Sequence, residues 1–125
     1  YEDPYSDFGR LSMELWRACR LVVDTGIHHY KWTREKSIDY LKNNTPNGEL
    51  EIVKGVERYF VMPAQATAYK IGMMKFLDLR EKAKEELGEK FDLKVFHDVV
   101  LRDGALPLNI VEENVMNWIK KTKKI

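Results

Sequence analysis

The sequence is poor in the residues that usually announce a chemistry. It has one cysteine and three histidines in 125 residues. A lone cysteine, Cys19, excludes an internal disulfide framework and leaves the compartment open. Its apolar setting predicts a small buried hydrophobe. His28 and His29 are neighbours, and on a helix adjacent side chains point about 100° apart. His97 stands alone. A zinc-binding helix needs two histidines four apart, so that both reach one ion, with a glutamate beside the first. That spacing does not occur, so no metal site made wholly within this chain is expected. No run is long and apolar enough to cross a bilayer, and no signal-peptide pattern opens the chain. Charge of one sign is lacking too: 21 Lys and Arg face 20 Asp and Glu, for a net +1. That balance gives no electrostatic case for a nucleic-acid partner, which would need a basic stripe. The lysines at 120, 121, 123 and 124 read as a solvated last turn that complements a helix dipole.

What is present is an apolar fraction of 44%, enough for a core, arranged almost throughout at helical spacing. No segment shows the strict alternation of a half-buried strand. The expected fold class is all-α, a helical bundle fragment of a larger, mostly helical fold. A first helix is expected from about Asp7 to Ile27, ended by Gly26 and the Tyr30–Trp32 stretch. It is apolar nearly all round from Leu15 to Val23, as in helices buried on most sides. Thr33 is an N-cap for a second helix to about Lys42, and residues 43–48 form a loop of turn-favouring residues. A third helix runs from near Glu49 to about Val61. Pro63 then either starts a new helix or kinks a continuous one. Helicity then continues to about Leu87, where Gly88 is a C-terminal cap. Asp92 caps a short helix to Leu101, residues 103–107 form a loop, and a last helix places Val111, Val115, Trp118 and Ile119 on one face.

Two polar features interrupt this apolar pattern. Arg17, Arg20, Asp24 and His28 are spaced three, four and four, which puts them on one helix face. Charge buried there needs partners, water or a ligand. An internal ion pair of Arg20 with Asp24 would suffice structurally, and a stripe lining a polar cleft is the functional alternative. The second feature surrounds Pro63, which cannot donate to the Tyr59 carbonyl and so leaves it free, a defect of roughly 3 kcal/mol inside a helix. On a continuous helix Arg58, Gln65 and Tyr69 share a face, and Tyr59 and Lys70 a neighbouring one. A tyrosine there can donate to a developing oxyanion and an arginine can bind a carboxylate, although helical aromatics are mostly core.

The same residues carry a family resemblance in three blocks. The first is Gly9-Arg10-Leu11, Arg17 through His28, and Trp32-Thr33-Arg34-Glu35. The second is Arg58-Tyr59, Pro63-Ala64-Gln65-Ala66 and Tyr69-Lys70-Ile71-Gly72. The third is Phe96-His97-Asp98, Gly104 through Leu108, and Trp118. From about Gly9 to Ile119 the chain resembles the C-terminal part of the bacterial "domain of unknown function 885" family. The resemblance implies a gluzincin-like helical fold, similar to carboxypeptidase Taq and angiotensin-converting-enzyme-like peptidases. It implies that the His-Glu-x-x-His helix and a later glutamate ligand lie upstream, where zinc and an activated water would be held. Arg58-Tyr59-Phe60-Val61 is similar to the peptidase segment whose tyrosine stabilises the tetrahedral intermediate, which carries that role to Tyr59. Those peptidases have a substrate-binding histidine ten residues earlier, where this chain has Glu49; His28 could serve from another helix. Ala64 stands where glycine is common, a difference expected to matter little.

Residues 1–125 are therefore expected to be a single all-helical segment, the C-terminal part of a larger catalytic domain. Its beginning at Tyr1, in Tyr1-Glu2-Asp3-Pro4-Tyr5, reads as the interior of a longer protein. The expected function is the substrate-cleft portion of a zinc-dependent peptidase-like hydrolase, not active alone. Tyr59 would be catalytic, and His28, Arg58, Arg17, Arg20, Asp24, Gln65 and Tyr69 would bind substrate. Its partners would be the upstream part of the same polypeptide and a peptide-like substrate. The alternative is a non-catalytic helical interaction module whose apolar faces dock on partner helices or form a dimer.

Overall fold

The computed structural model describes residues 2–124; Tyr1, on which the expectation of an interior beginning rests, lies outside the described residues. Among the described residues there are six α-helices and no strand, so the fold is all-α. The helices are α1 (Pro4–His28), α2 (Arg34–Asn44), α3 (Glu49–Val61), α4 (Ala68–Leu87), α5 (Leu93–Leu101) and α6 (Leu108–Lys123), with a 3-10 turn at Gly88–Lys90. The chain divides into two compact units, Tyr1–Ile71 and Gly72–Ile125.

In the first unit, α1 starts one turn earlier than its apolar pattern implies. Asp3 caps the backbone N–H groups of Tyr5 and Ser6, and Pro4 opens the helix where a missing N–H costs nothing. The core gathers Trp16, Cys19, Val23 and Ile27 of α1, Ile38 and Leu41 of α2, and Ile52, Val56 and Tyr59 of α3. Cys19 is buried, as expected, and burial raises its thiol pKa. Gly26 lies inside α1 rather than ending it. A β-carbon there would sit 2.5 Å from the Trp32 ring, so glycine lets the returning chain fold back. The Trp32 N–H donates to the Gly26 carbonyl at 2.9 Å. Thr33 caps α2 through the Lys36 N–H, and the Arg34–Glu57 ion pair at 2.6 Å links α2 to α3.

Pro63 produces a break, not a kink. Residues 62–67 form turns, and α4 begins only at Ala68. In that turn Ala64 adopts a left-handed φ of 67°.

The second unit closes on Leu79, Ala83 and Leu87 of α4, Phe96 of α5, and Val111, Val115 and Ile119 of α6. Phe91, Phe96 and Trp118 add a ring cluster with centroids 6.2–6.3 Å apart. Asp92 caps α5 through the Lys94 and Val95 N–H groups, and Gly88 takes a positive φ of 53° at the end of α4. No described helix is long and apolar enough to cross a membrane.

Candidate functional site

The candidate residues all fall in the first unit, where the polar stripe of α1 meets the end of α3, the 62–67 turn and the start of α4. The stripe does not close on itself. Arg20 and Asp24 form no ion pair; each reaches across to the turn instead. The Arg20 guanidinium donates to Gln65 Oε1 at 3.1 Å, and Asp24 Oδ1 accepts the Ala64 N–H at 3.1 Å. A carboxylate thus holds the backbone where it is forced into the left-handed region. Asp24 is only 3% exposed. Its Oδ2 and the Arg20 Nε are buried without a hydrogen-bond partner among the described residues. Such atoms are costly and uncommon in folded proteins.

His28 answers the defect that proline creates. The Tyr59 carbonyl, which Pro63 cannot serve, lies 2.9 Å from His28 Nε2. A carbonyl can only accept, so Nε2 carries the proton and donates. The histidine nitrogen nearest the turn is therefore committed to the fold.

The two tyrosines differ sharply. Tyr59 is a core residue, 2% exposed, and an ideal β-carbon at Gly55 would lie 3.2 Å from its hydroxyl, with Trp16 alongside at 3.4 Å. No hydrogen bond to that hydroxyl is found among the described residues. Burial pushes its pKa up to about 12, opposed by the charges of Arg20 and Arg58, so the phenol stays neutral and able to donate through the physiological range. Tyr69 is 45% exposed. Its hydroxyl receives a bond from Gln65 Nε2 at 3.3 Å, and its ring carries two guanidinium groups, Arg17 at 4.5 Å and Arg20 at 5.2 Å from the centroid. Arg20 also lies 5.3 Å from the Tyr59 ring centroid.

Arg17, Arg20, Gln65 and Tyr69 are thus brought into one cluster, with Asp24 at the adjoining turn. Arg58 is not part of it by the expected route: the break at 62–67 removes the continuous helix that would align it with Gln65 and Tyr69. Its side chain is exposed and makes no hydrogen bond or ion pair among the described residues, and it reaches Tyr59 only through its charge. Lys70, expected beside Tyr59, pairs with Glu14 of α1 at 3.1 Å. Glu49 is an exposed helix-start carboxylate held by Lys42 at 2.5 Å. Sequence reasoning missed Trp16 and Gly55, which seat Tyr59, and the Ala64 N–H. Glycine at 55, one turn before a tyrosine, was the available signal for a close approach.

No three His, Cys, Asp or Glu side chains among the described residues come together to hold a metal ion.

Comparison with known proteins gives a family and a structure. The profile of a family described as "bacterial protein of unknown function (DUF885)" matches residues 1–115. The crystal structure of "the putative lipoprotein from Colwellia psychrerythraea" superposes with a TM-score of 0.94 at 52% sequence identity. The match covers 96% of this chain and 20% of that one, so this chain spans about a fifth of that protein's length. Among curated proteins, none matches this chain.

Proposed function

We propose, since the chain belongs to the bacterial family of domain of unknown function 885, that it is the C-terminal, substrate-cleft portion of a larger zinc-dependent peptidase-like hydrolase and is not active alone. The observation that carries this reading is the α1 stripe. Two arginines, an amide and a tyrosine hydroxyl converge on a partly open surface, while Arg20 Nε and Asp24 Oδ2 remain without partners. A purely structural network would be expected to satisfy its own buried atoms. The span of about a fifth of the Colwellia psychrerythraea protein leaves room for metal ligands elsewhere in a longer polypeptide. In this proposal the metal is held wholly outside this chain, whose residues bind and orient a peptide-like substrate.

Tyr59 and Tyr69 are the candidates for contact with the reacting carbonyl. The Tyr59 hydroxyl is a neutral, unspent donor, as an oxyanion site requires. Its burial means that a substrate reaches it only after neighbouring side chains shift, whereas Tyr69 needs no such shift. The test is a pair of variants in the full-length protein. Y59F is expected to lower kcat at least tenfold with little change in KM, the pattern of a group acting in the transition state. Y69F is expected to act mainly on KM. Unchanged kcat in Y59F would leave Tyr59 a core residue and end its catalytic role.

A second reading, a helical interaction module that docks or dimerises, is favoured by one observation. Tyr5, Phe8, Leu11 and Met13 are exposed along the first turns of α1, and clustered exposed apolar side chains mark interaction surfaces. A full-length protein that hydrolyses no peptide and self-associates with rising concentration in light scattering would favour that module.

A further inference from the structure

Charge around the α1 stripe does not balance. Arg17 has no hydrogen bond or ion pair among the described residues; its guanidinium rests only on the Tyr69 ring. Arg20, three residues on, has an amide and two rings for partners and no carboxylate. The two arginines share a helix face, with β-carbons about 5–6 Å apart, so their like charges repel. The carboxylates on that face pair with neither arginine, and Asp24 keeps its Oδ2 buried without a partner. Glu14 pairs with Lys70 at 3.1 Å and with Arg10 at 3.6 Å. Asp24 is turned to the Ala64 N–H. Two guanidinium groups therefore stand beside one partly exposed ring with donors to spare, and Arg20 Nε is buried and unmet. Guanidinium groups bind carboxylates through paired, charge-assisted hydrogen bonds.

We infer that Arg17 and Arg20, presented over Tyr69, form a binding site for the carboxylate of a ligand. The inference rests on the substrate-facing reading of this surface, and it gives the substrate class: a peptide-like acid whose free carboxylate is gripped by the arginine pair. Gln65 fixes the geometry from behind, because its amide oxygen holds Arg20 while its nitrogen holds the Tyr69 hydroxyl. Arg17, with no partner but the ring, is the freer of the two to grip the ligand.

The test uses the full-length protein and two probes, an N-acetyl dipeptide with a free C-terminal carboxylate and the same dipeptide as its amide. Calorimetry is expected to show the acid binding at least tenfold more tightly, with a preference that shrinks as salt rises. R17Q is expected to abolish the preference while leaving the melting temperature nearly unchanged, and R17K to keep part of it. Equal binding of acid and amide would overturn the site, as would a preference that survives in R17Q. A carboxylate from another segment of the same polypeptide is the competing source. In that case R17Q lowers the melting temperature by several degrees and leaves probe binding untouched, which also overturns the proposal. Peptide hydrolysis is read separately. Turnover without acid preference sinks this site and spares the hydrolase reading, and acid preference without turnover does the reverse.

Discussion

The two compact units are built on different principles. The core of the Gly72–Ile125 unit is aliphatic and aromatic, and its polar groups stay at the surface in ion pairs such as Lys75–Glu112 at 2.7 Å. The core of the Tyr1–Ile71 unit admits a buried carboxylate and a buried hydroxyl, Asp24 and Ser37. The unit also holds a histidine bonded to a backbone carbonyl, a left-handed alanine at its surface and, among its described residues, three unmet polar atoms, Arg20 Nε, Asp24 Oδ2 and Asn47 Oδ1. Ser37 is satisfied locally by the Thr33 carbonyl. Asn47 Oδ1 lies in the loop between α2 and α3; the others lie where α1 meets the 62–67 turn. Among the described residues, the second unit packs its helices on a core without buried polar side chains. Most of the departures in the first unit lie where function is proposed, as expected of sites that trade local consistency for chemistry.

The sharpest way to test this contrast is to remove volume from the plain core. Leu79 is fully buried in the second unit. L79A is expected to cost about 3 kcal/mol, the usual result of deleting a buried leucine side chain and leaving a cavity. Chemical denaturation of the full-length protein would measure it. A loss below 1 kcal/mol would mean that the second unit is loosely packed and that the contrast with the first is misdrawn.

The polar joint should respond to chemistry rather than volume. H28A leaves the Tyr59 carbonyl without a donor, and the expected loss is about 1–2 kcal/mol for one unsatisfied buried acceptor. Circular dichroism melts would follow it. Unchanged stability with weakened substrate binding would show that His28 faces ligand, and the hydrogen bond to the Tyr59 carbonyl would then be incidental.

Much of this fold was legible from the sequence because helix ends carry local signals. Thr33, Gly88 and Asp92 stand at the boundaries they were expected to mark. The start of α1 was placed late at Asp7, although Asp3-Pro4 is itself a cap followed by a first-turn proline. The α1 stripe was legible too, since spacings of three and four fix a helix face whatever the tertiary context. Its partners were not. Asp24 and His28 bind main-chain groups, the Ala64 N–H and the Tyr59 carbonyl, and every residue has such groups, so no side-chain pattern points to them. An ion pair of Arg20 with Asp24, four residues away, was one of two readings left open, and Arg20 bonds Gln65 instead, 45 residues away. Pro63 was read as an interruption, but neither expected outcome, a helix begun at Pro63 or a kink in a continuous one, was met, since residues 62–67 form a turn and α4 begins at Ala68. A kink would have kept Arg58 aligned with Gln65 and Tyr69, and the turn that formed instead dissolved the alignment.

The smallest expected effect bears on the residue whose importance was most underestimated. Ala64 was expected to be a neutral replacement for glycine. Its φ of 67° instead places a side chain where the β-carbon crowds the following carbonyl, a strain of roughly 1–2 kcal/mol for a non-glycine residue. The Asp24 carboxylate holds the turn there regardless, through the Ala64 N–H. A64G should relieve the strain and give back about 0.4–1 kcal/mol through the greater freedom of glycine in the unfolded chain. The expected net is a stabilisation of about 0.5–1 kcal/mol, read as a rise of a few degrees in Tm. Combining A64G with D24N sharpens the point, because residues sharing a hydrogen bond do not act independently. Strain held in place by the carboxylate predicts that the benefit of glycine shrinks in the D24N background, where a neutral amide grips the turn less firmly. An undiminished benefit would mean that the turn adopts its left-handed geometry without Asp24, and that this buried carboxylate is present for the ligand rather than for the fold.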